Sequence, residues 1–171
     1  MITDVLLTVS GSNTPGSAIS GQAITADAYS TDTIDLGTAR DIGEGHQLYM
    51  VFTVITTFNT LTSLDLEVVS SANANLSSHT VLAETNVLLA GLTAGKQYVV
   101  AIPPQIASLG LRYLGARYDV NGSNPTTGSI LAQIVMDIQD GKKFYASGFT
   151  VAESLEAVEA RLLPLVLDAL R

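Results

Sequence analysis

The chain has 171 residues, no cysteine, and a formal charge of −8 from sixteen acidic and eight basic side chains. That length suits one domain with its own hydrophobic core, and the lack of thiols excludes disulfides, thiolate metal sites and cysteine nucleophiles. Only Lys142 and Lys143 are adjacent cations, so nucleic acid, which is gripped through clustered Lys and Arg on phosphates, is not an expected partner.

Mean hydropathy is +0.35 and only 14% of residues are charged. A surface so poor in charge favours self-association or docking on a larger body over a free monomer. No apolar run reaches the roughly 20 residues that span a bilayer, so no membrane span is expected. The first ten residues carry Asp4 and no basic residue, unlike a secretory signal.

In chain order, 5–10 reads as a short strand, and 11–17 (Gly, Ser, Asn, Thr, Pro) as turn material. Ile24, Ala26 and Ala28 alternate with Thr25, Asp27 and Tyr29, which predicts a second, half-buried strand. A short run at 33–36 follows, closed by Gly37. The stretch 47–58 is the most strongly β-like. Leu48, Met50, Phe52 and Val54 fall on one face; Tyr49, Val51, Thr53 and Ile55 fall on the other. A strand apolar on both faces is buried on both, so its second face needs a cover from a helix, a loop or another subunit.

At 63–70, Leu64, Leu66 and Val68 alternate with Ser63, Asp65 and Glu67, the pattern of a sheet with one wet side. The Ser/Asn-rich 71–80 reads as an exposed loop, 80–83 and 86–90 as weaker strands, and 91–95 as a turn. Three alternating runs follow at 97–103, 111–120 and 129–139. Pro103 and Pro104 end the first, because proline lacks the ladder donor. In the last, Ile130, Ala132, Ile134, Met136 and Ile138 share one side, and Gln133, Asp137 and Gln139 are polar positions on the other. The intervening 121–128 (NGSNPTTG) reads as a hairpin loop.

The character changes after Asp140, which divides the chain into a β domain at 1–140 and a helical extension at 141–171. Thr150 and Glu153 have capping-box spacing, and Val151, Leu155, Val158 and Leu162 recur at helical intervals. Pro164 stops or kinks this helix. Its apolar stripe is expected to pack on the domain or on a neighbouring subunit.

Candidate chemistry is sparse. His46 and His79 belong to no metal-spaced pair and read as loop histidines. Asp32, Asp35, Asp41 and Glu44 form a local acidic group whose spacing matches no Ca²⁺ loop. Asp65 and Glu67 project from one strand face, as glycosidase carboxylates would, but no tryptophan platform accompanies them, so a solvated face is the plainer reading. Neither 43–45 nor 91–95 has the helix behind it that a phosphate-cradling glycine loop needs. No catalytic, cofactor-binding or metal-binding residue is assigned. Arg40, Arg112 and Arg117, with Tyr118, have a composition enriched at protein interfaces, although arginine stems also cover apolar sheet faces. Together with Val151, Leu155, Val158 and Leu162 they form the candidate subunit or partner interface.

Several segments in order resemble the capsid cement (decoration) proteins of tailed bacteriophages: TIDLGTARDIGEG at 33–45, LYMVFTV at 48–54, YVVAIP at 98–103, LRYLGARY at 111–118 with Val120, and 130–139 ending in MDIQ. The resemblance covers roughly residues 1–140. It implies an all-β, jelly-roll-like antiparallel sandwich, here with a short C-terminal helix, that assembles as a homotrimer on the outer capsid surface. There it would clamp neighbouring major capsid subunits, with no enzymatic residue and no cofactor. A low-charge sandwich with polar loops suits many weak contacts multiplied over a lattice. Two other classes stay open at this point: a carbohydrate- or receptor-binding sandwich of a phage fibre or adhesin, which needs an aromatic-lined groove, and a hydrolase on the same fold.

Overall fold

The computed structural model describes residues 4–42, 45–104, 111–136 and 138, all within the unit Met1–Ile138. The helix expected after residue 140, with Val151, Leu155, Val158 and Leu162, lies outside the described residues.

The described chain forms β1 (Thr8–Ser10), β2 (Gln22–Ala23), β3 (Ala28–Tyr29), β4 (Ile34–Asp35), β5 (Leu48–Thr56), β6 (Leu61–Ser71), β7 (Thr80–Leu88), β8 (Gln97–Ile102), β9 (Tyr113–Gly122) and β10 (Ser129–Val135). One sheet runs β1-β10-β5-β8, with β2 also on β10; the other runs β3-β9-β6-β7, with β4 also on β9. Every pairing is antiparallel. Strands β1 and β2 pair with successive stretches of β10, and β3 and β4 with successive stretches of β9, so each couple acts as one interrupted strand. Counted this way there are eight strands in two four-stranded sheets. β6 and β7 form a hairpin, and the other connections between these strands cross from one sheet to the other. This is the jelly-roll order, and the all-β sandwich expected from the alternating runs is what the chain adopts.

Four local expectations are corrected. The segment 121–128 is not a hairpin, because β9 and β10 lie in different sheets; its turn residues mark a reversal but cannot say whether the strands stay in one sheet. The strand expected around 24–28 is instead two short strands in opposite sheets, with Ile24 fully buried at the crossing. The first strand begins as a 3₁₀ turn at Val5–Leu7, where the Asp4 carboxylate accepts from Leu6 N at 2.9 Å. The two weak strands at 80–90 are one strand, β7, interrupted by a bulge.

The core sits between the sheets. Met50, Phe52 and Val54 of β5 stand opposite Ile134, Ala132 and Ile130 of β10. Leu64, Leu66 and Val68 of β6 and Leu114, Ala116 and Tyr118 of β9 belong to the same buried cluster. A two-residue period sends these side chains inward and their neighbours outward. The Phe52 and Tyr118 rings meet edge to face at 6.1 Å, and the Tyr118 hydroxyl donates to Ser10 Oγ at 2.7 Å. Its burial pushes the phenol well above its ordinary pKa, so it stays a neutral donor.

The outer side of the first sheet is also closed at its centre. Val51, Leu131, Gln133 and Val135 are buried, and Gln133 Nε2 donates to Thr8 Oγ1 at 2.9 Å. The two-sided burial expected for β5 therefore holds at Val51.

The segment expected as an exposed loop after β6 carries a fully buried residue, Leu76, held at φ 58°. Side-chain turns shape it: Asn73 N donates to Ser71 Oγ at 3.0 Å, and Ser77 N to Asn75 Oδ1 at 3.1 Å. Leu76 rests against Gly115 on the outward side of β9, where a Cβ would stand 2.7 Å from Leu76 Cδ1. The glycine makes room for the leucine.

Leu76→Ala is expected to lower stability by about 2–5 kcal/mol, the range for truncating a buried leucine. Urea unfolding with an unchanged midpoint would refute the role given to this side chain.

Candidate interaction surface

The outer face of the second sheet carries a connected polar network. On β9, residues 113, 115, 117, 119 and 121 point outward, because Leu114, Ala116 and Tyr118 point inward. On β6 the outward set includes Ser63, Asp65 and Glu67. Cross-strand register places Glu67 between Arg117 and Glu84, and Asp65 between Asp119 and Asn86.

Arg117 Nη1 donates to both Glu67 oxygens, at 3.0 and 2.8 Å, and its Nη2 lies 3.2 Å from Asp119 Oδ1. Glu67 is only 4% exposed despite facing away from the core. A carboxylate so covered needs its cation, since burying an unpaired charge costs far more than the pair gains. Asp65 accepts from Asn86 Nδ2 at 2.5 Å and from Asn121 Nδ2 at 2.7 Å. The amides serve as neutral donors where Asp65 and Asp119 stand directly opposite, an arrangement unfavourable for like charges. At one margin, the Tyr29 hydroxyl lies 3.0 Å from His79 Nδ1 and the rings meet edge to face.

A second feature lies at the start of β9. Arg112 Nε and Nη2 donate to the two Asp35 oxygens at 2.6 and 2.7 Å, and the guanidinium lies 5.1 Å from the Tyr113 ring centroid. The Arg112 hydrogen bonds, with one from Gly37 N, hold the Asp35 carboxyl down at about 2. The pair is exposed, so its contribution to stability is small.

A third feature surrounds His46. One cavity of about 200 Å³ is lined by Ile42, His46, Gln47, Leu48, Ile102 and Pro104. A shallower depression of about 370 Å³ is lined by His46, Gln47, Tyr49, Met136 and Ile138. The first falls below the roughly 300–1,000 Å³ usual for small-ligand sites.

The sequence candidates separate clearly. Arg40 is exposed after β4. Arg112 and Arg117 are on the surface but engaged by carboxylates of their own chain. Tyr118 is a correction. It is fully buried and faces the core, because adjacent residues of a strand point to opposite sides, so it cannot line an interface. Asp35 of the acidic group is taken by Arg112, and among the described residues no group of three or more His, Asp or Glu is placed to hold a metal. The pairing of Glu67 with Arg117 was missed by reading that face as solvated. Fifty residues separate the two, and only the β6–β9 register brings them together.

The family model Bbp16 matches residues 18–134, which run from before β2 to Ile134 of β10. The chain belongs to the Bbp16 family. Comparison with curated proteins finds no match. Among solved structures, a mutant of Xylanase10C from Cellvibrio japonicus in complex with xylopentaose is similar at a TM-score of 0.42 and 15% identity. That likeness covers 81% of this Bbp16-family chain, which spans only 29% of the xylanase chain, and it is too distant to bear on function.

Two predictions follow from the ion pairs. Glu67→Gln, which leaves Arg117 short of a charge partner, is expected to cost about 1–3 kcal/mol in urea unfolding. The Asp35 pKa is lower folded than unfolded, so its stabilising effect is present above about pH 4 and fades as pH falls toward 2. Wild type and Asp35→Asn should therefore differ in melting temperature at pH 6 and converge at pH 2; a gap unchanged with pH would contradict this.

Proposed function

We propose that this chain is a structural virion protein that binds the outer surface of an icosahedral phage capsid and bridges neighbouring major capsid subunits. The observation that carries the reading is where the cement-like segments fall. Those at 33–45, 48–54, 98–103, 111–118 and 130–139 contain β4 and the greater part of β5, β8, β9 and β10, strands drawn from both sheets. The resemblance thus follows the framework of the sandwich and not an isolated loop.

The surface agrees with a role in adhesion. Leu6 is 83% exposed and Met136 64%, with Val5 and Ile138 also open to solvent, so the described surface keeps apolar side chains available for contact. The loop 123–127 is polar and braced: Asn59 Oδ1 accepts from Thr126 N and Thr127 N at 2.9 and 3.1 Å. Such a loop holds its shape while offering hydrogen-bond groups. Repeated over a lattice, modest contacts of this kind add up to firm attachment. In this reading the protein acts through copies of itself, in the trimeric form the resemblance implies, and through the major capsid protein.

Purified protein added to undecorated capsids should bind at a fixed ratio to the major capsid protein and raise the temperature at which the shells break. Absence of binding, or binding with no change in shell stability, would reject the proposal.

A further inference from the structure

Among the described residues the two sheets end on the same flank in two very different edge strands. β8 is short, preceded by Lys96 and closed by Pro103 and Pro104. Lysine and proline are the usual guards of an edge, since both oppose the addition of another strand. β7 has nine residues, with no lysine and no proline, and Glu84 is its single charged side chain. Val81 is 39% exposed and Leu88 65%. Among the described residues no strand pairs with the far side of β7. Its one irregularity is the bulge at Leu82, opposite Val68 and Val69, which leaves 83–88 as a regular, unguarded ladder.

We infer that this edge is a self-association edge, on which residues 83–88 of one copy pair antiparallel with the same residues of a second copy about a two-fold axis at Thr85. The sequence of β7 selects this register. An axis at Glu84 would set two carboxylates directly opposite, which is unfavourable. An axis at Asn86 would oppose Glu84 to the apolar Leu88. With the axis at Thr85, Glu84 faces the partner's Asn86, Ala83 faces the partner's Val87, and the two threonines face each other. Ala83, Thr85 and Val87 share the inward side of β7, while Glu84 and Asn86 share the outer side, so the pairing continues both layers across the junction. A symmetric contact of this kind uses one surface twice and closes on itself. The inference concerns contact between copies and stands apart from the capsid reading. If both hold, the edge can join one assembled unit to the next.

The chain has no cysteine, so single-cysteine variants report on this contact without background. Residues directly opposite in an antiparallel pair have Cα atoms about 4.5–5.5 Å apart, within the range a disulfide bridges. Under mild oxidation Thr85→Cys should give a disulfide-linked dimer that reductant reverses, whereas Val99→Cys, on β8, should not. Thr85→Lys places two cations face to face across the axis and should weaken association at least tenfold in sedimentation, with each copy still folded by its circular dichroism. The inference is overturned if wild-type protein sediments only as a monomer or an isolated trimer across the concentration range. It is equally overturned if Thr85→Cys cross-links no better than Val99→Cys, as expected if the edge receives a segment of another protein. Neither readout involves capsids, so failure here is separate from failure of capsid binding.

Discussion

The structure depends on the meeting of β5 and β9 across the core. Phe52 and Tyr118 touch edge to face there, and Tyr118 reaches through to Ser10 at the margin of the first sheet. A large ring with a polar tip can be buried only where the tip finds a partner. That contact spans the two layers, joining the inward side of β9 to β1 and β5. Once Tyr118 is inward, Arg117 and Asp119 must be outward, and the network with Glu67 is a consequence of the same alternation. Core and surface chemistry are thus written on one strand.

The framework was readable because the physics behind it is local. Leu48, Met50, Phe52 and Val54 declare their face through a two-residue period, as do Ile130, Ala132 and Ile134. Three features were not readable, each because its cause lies far away in sequence. Leu76 is buried only because Gly115, thirty-nine positions on, leaves a hollow for it. The loop 121–128 looks like a hairpin until the sheet membership of its two strands is known. Tyr118 looked like part of an arginine–tyrosine surface because composition does not record which side of the strand a residue takes. Arg112 and Arg117 lie at the surface, but their carboxylate partners come from β4 and β6, and nearness in space across such separations leaves no trace in spacing.

The two outer faces have unlike characters. The first sheet is apolar at its centre, at Val51, Leu131 and Val135. The second is acidic, with Asp65, Glu67, Glu84 and Asp119 around one arginine. The apolar centre of the first sheet is covered, whereas the charged groups of the second pair with one another across β6 and β9.

Strand β10 lies between β1 and β5, and Gln133 bonds to Thr8 across 125 positions of chain. The middle of the first sheet is therefore supplied last, after every other described strand has been synthesised. Until β10 leaves the ribosome, β1 and β5 have an empty lane between them, and the layer cannot zip. Such non-local closure places folding in the slow, millisecond-to-second regime of β-rich domains. The two-layer core closes only when this last described strand takes its place between its two neighbours.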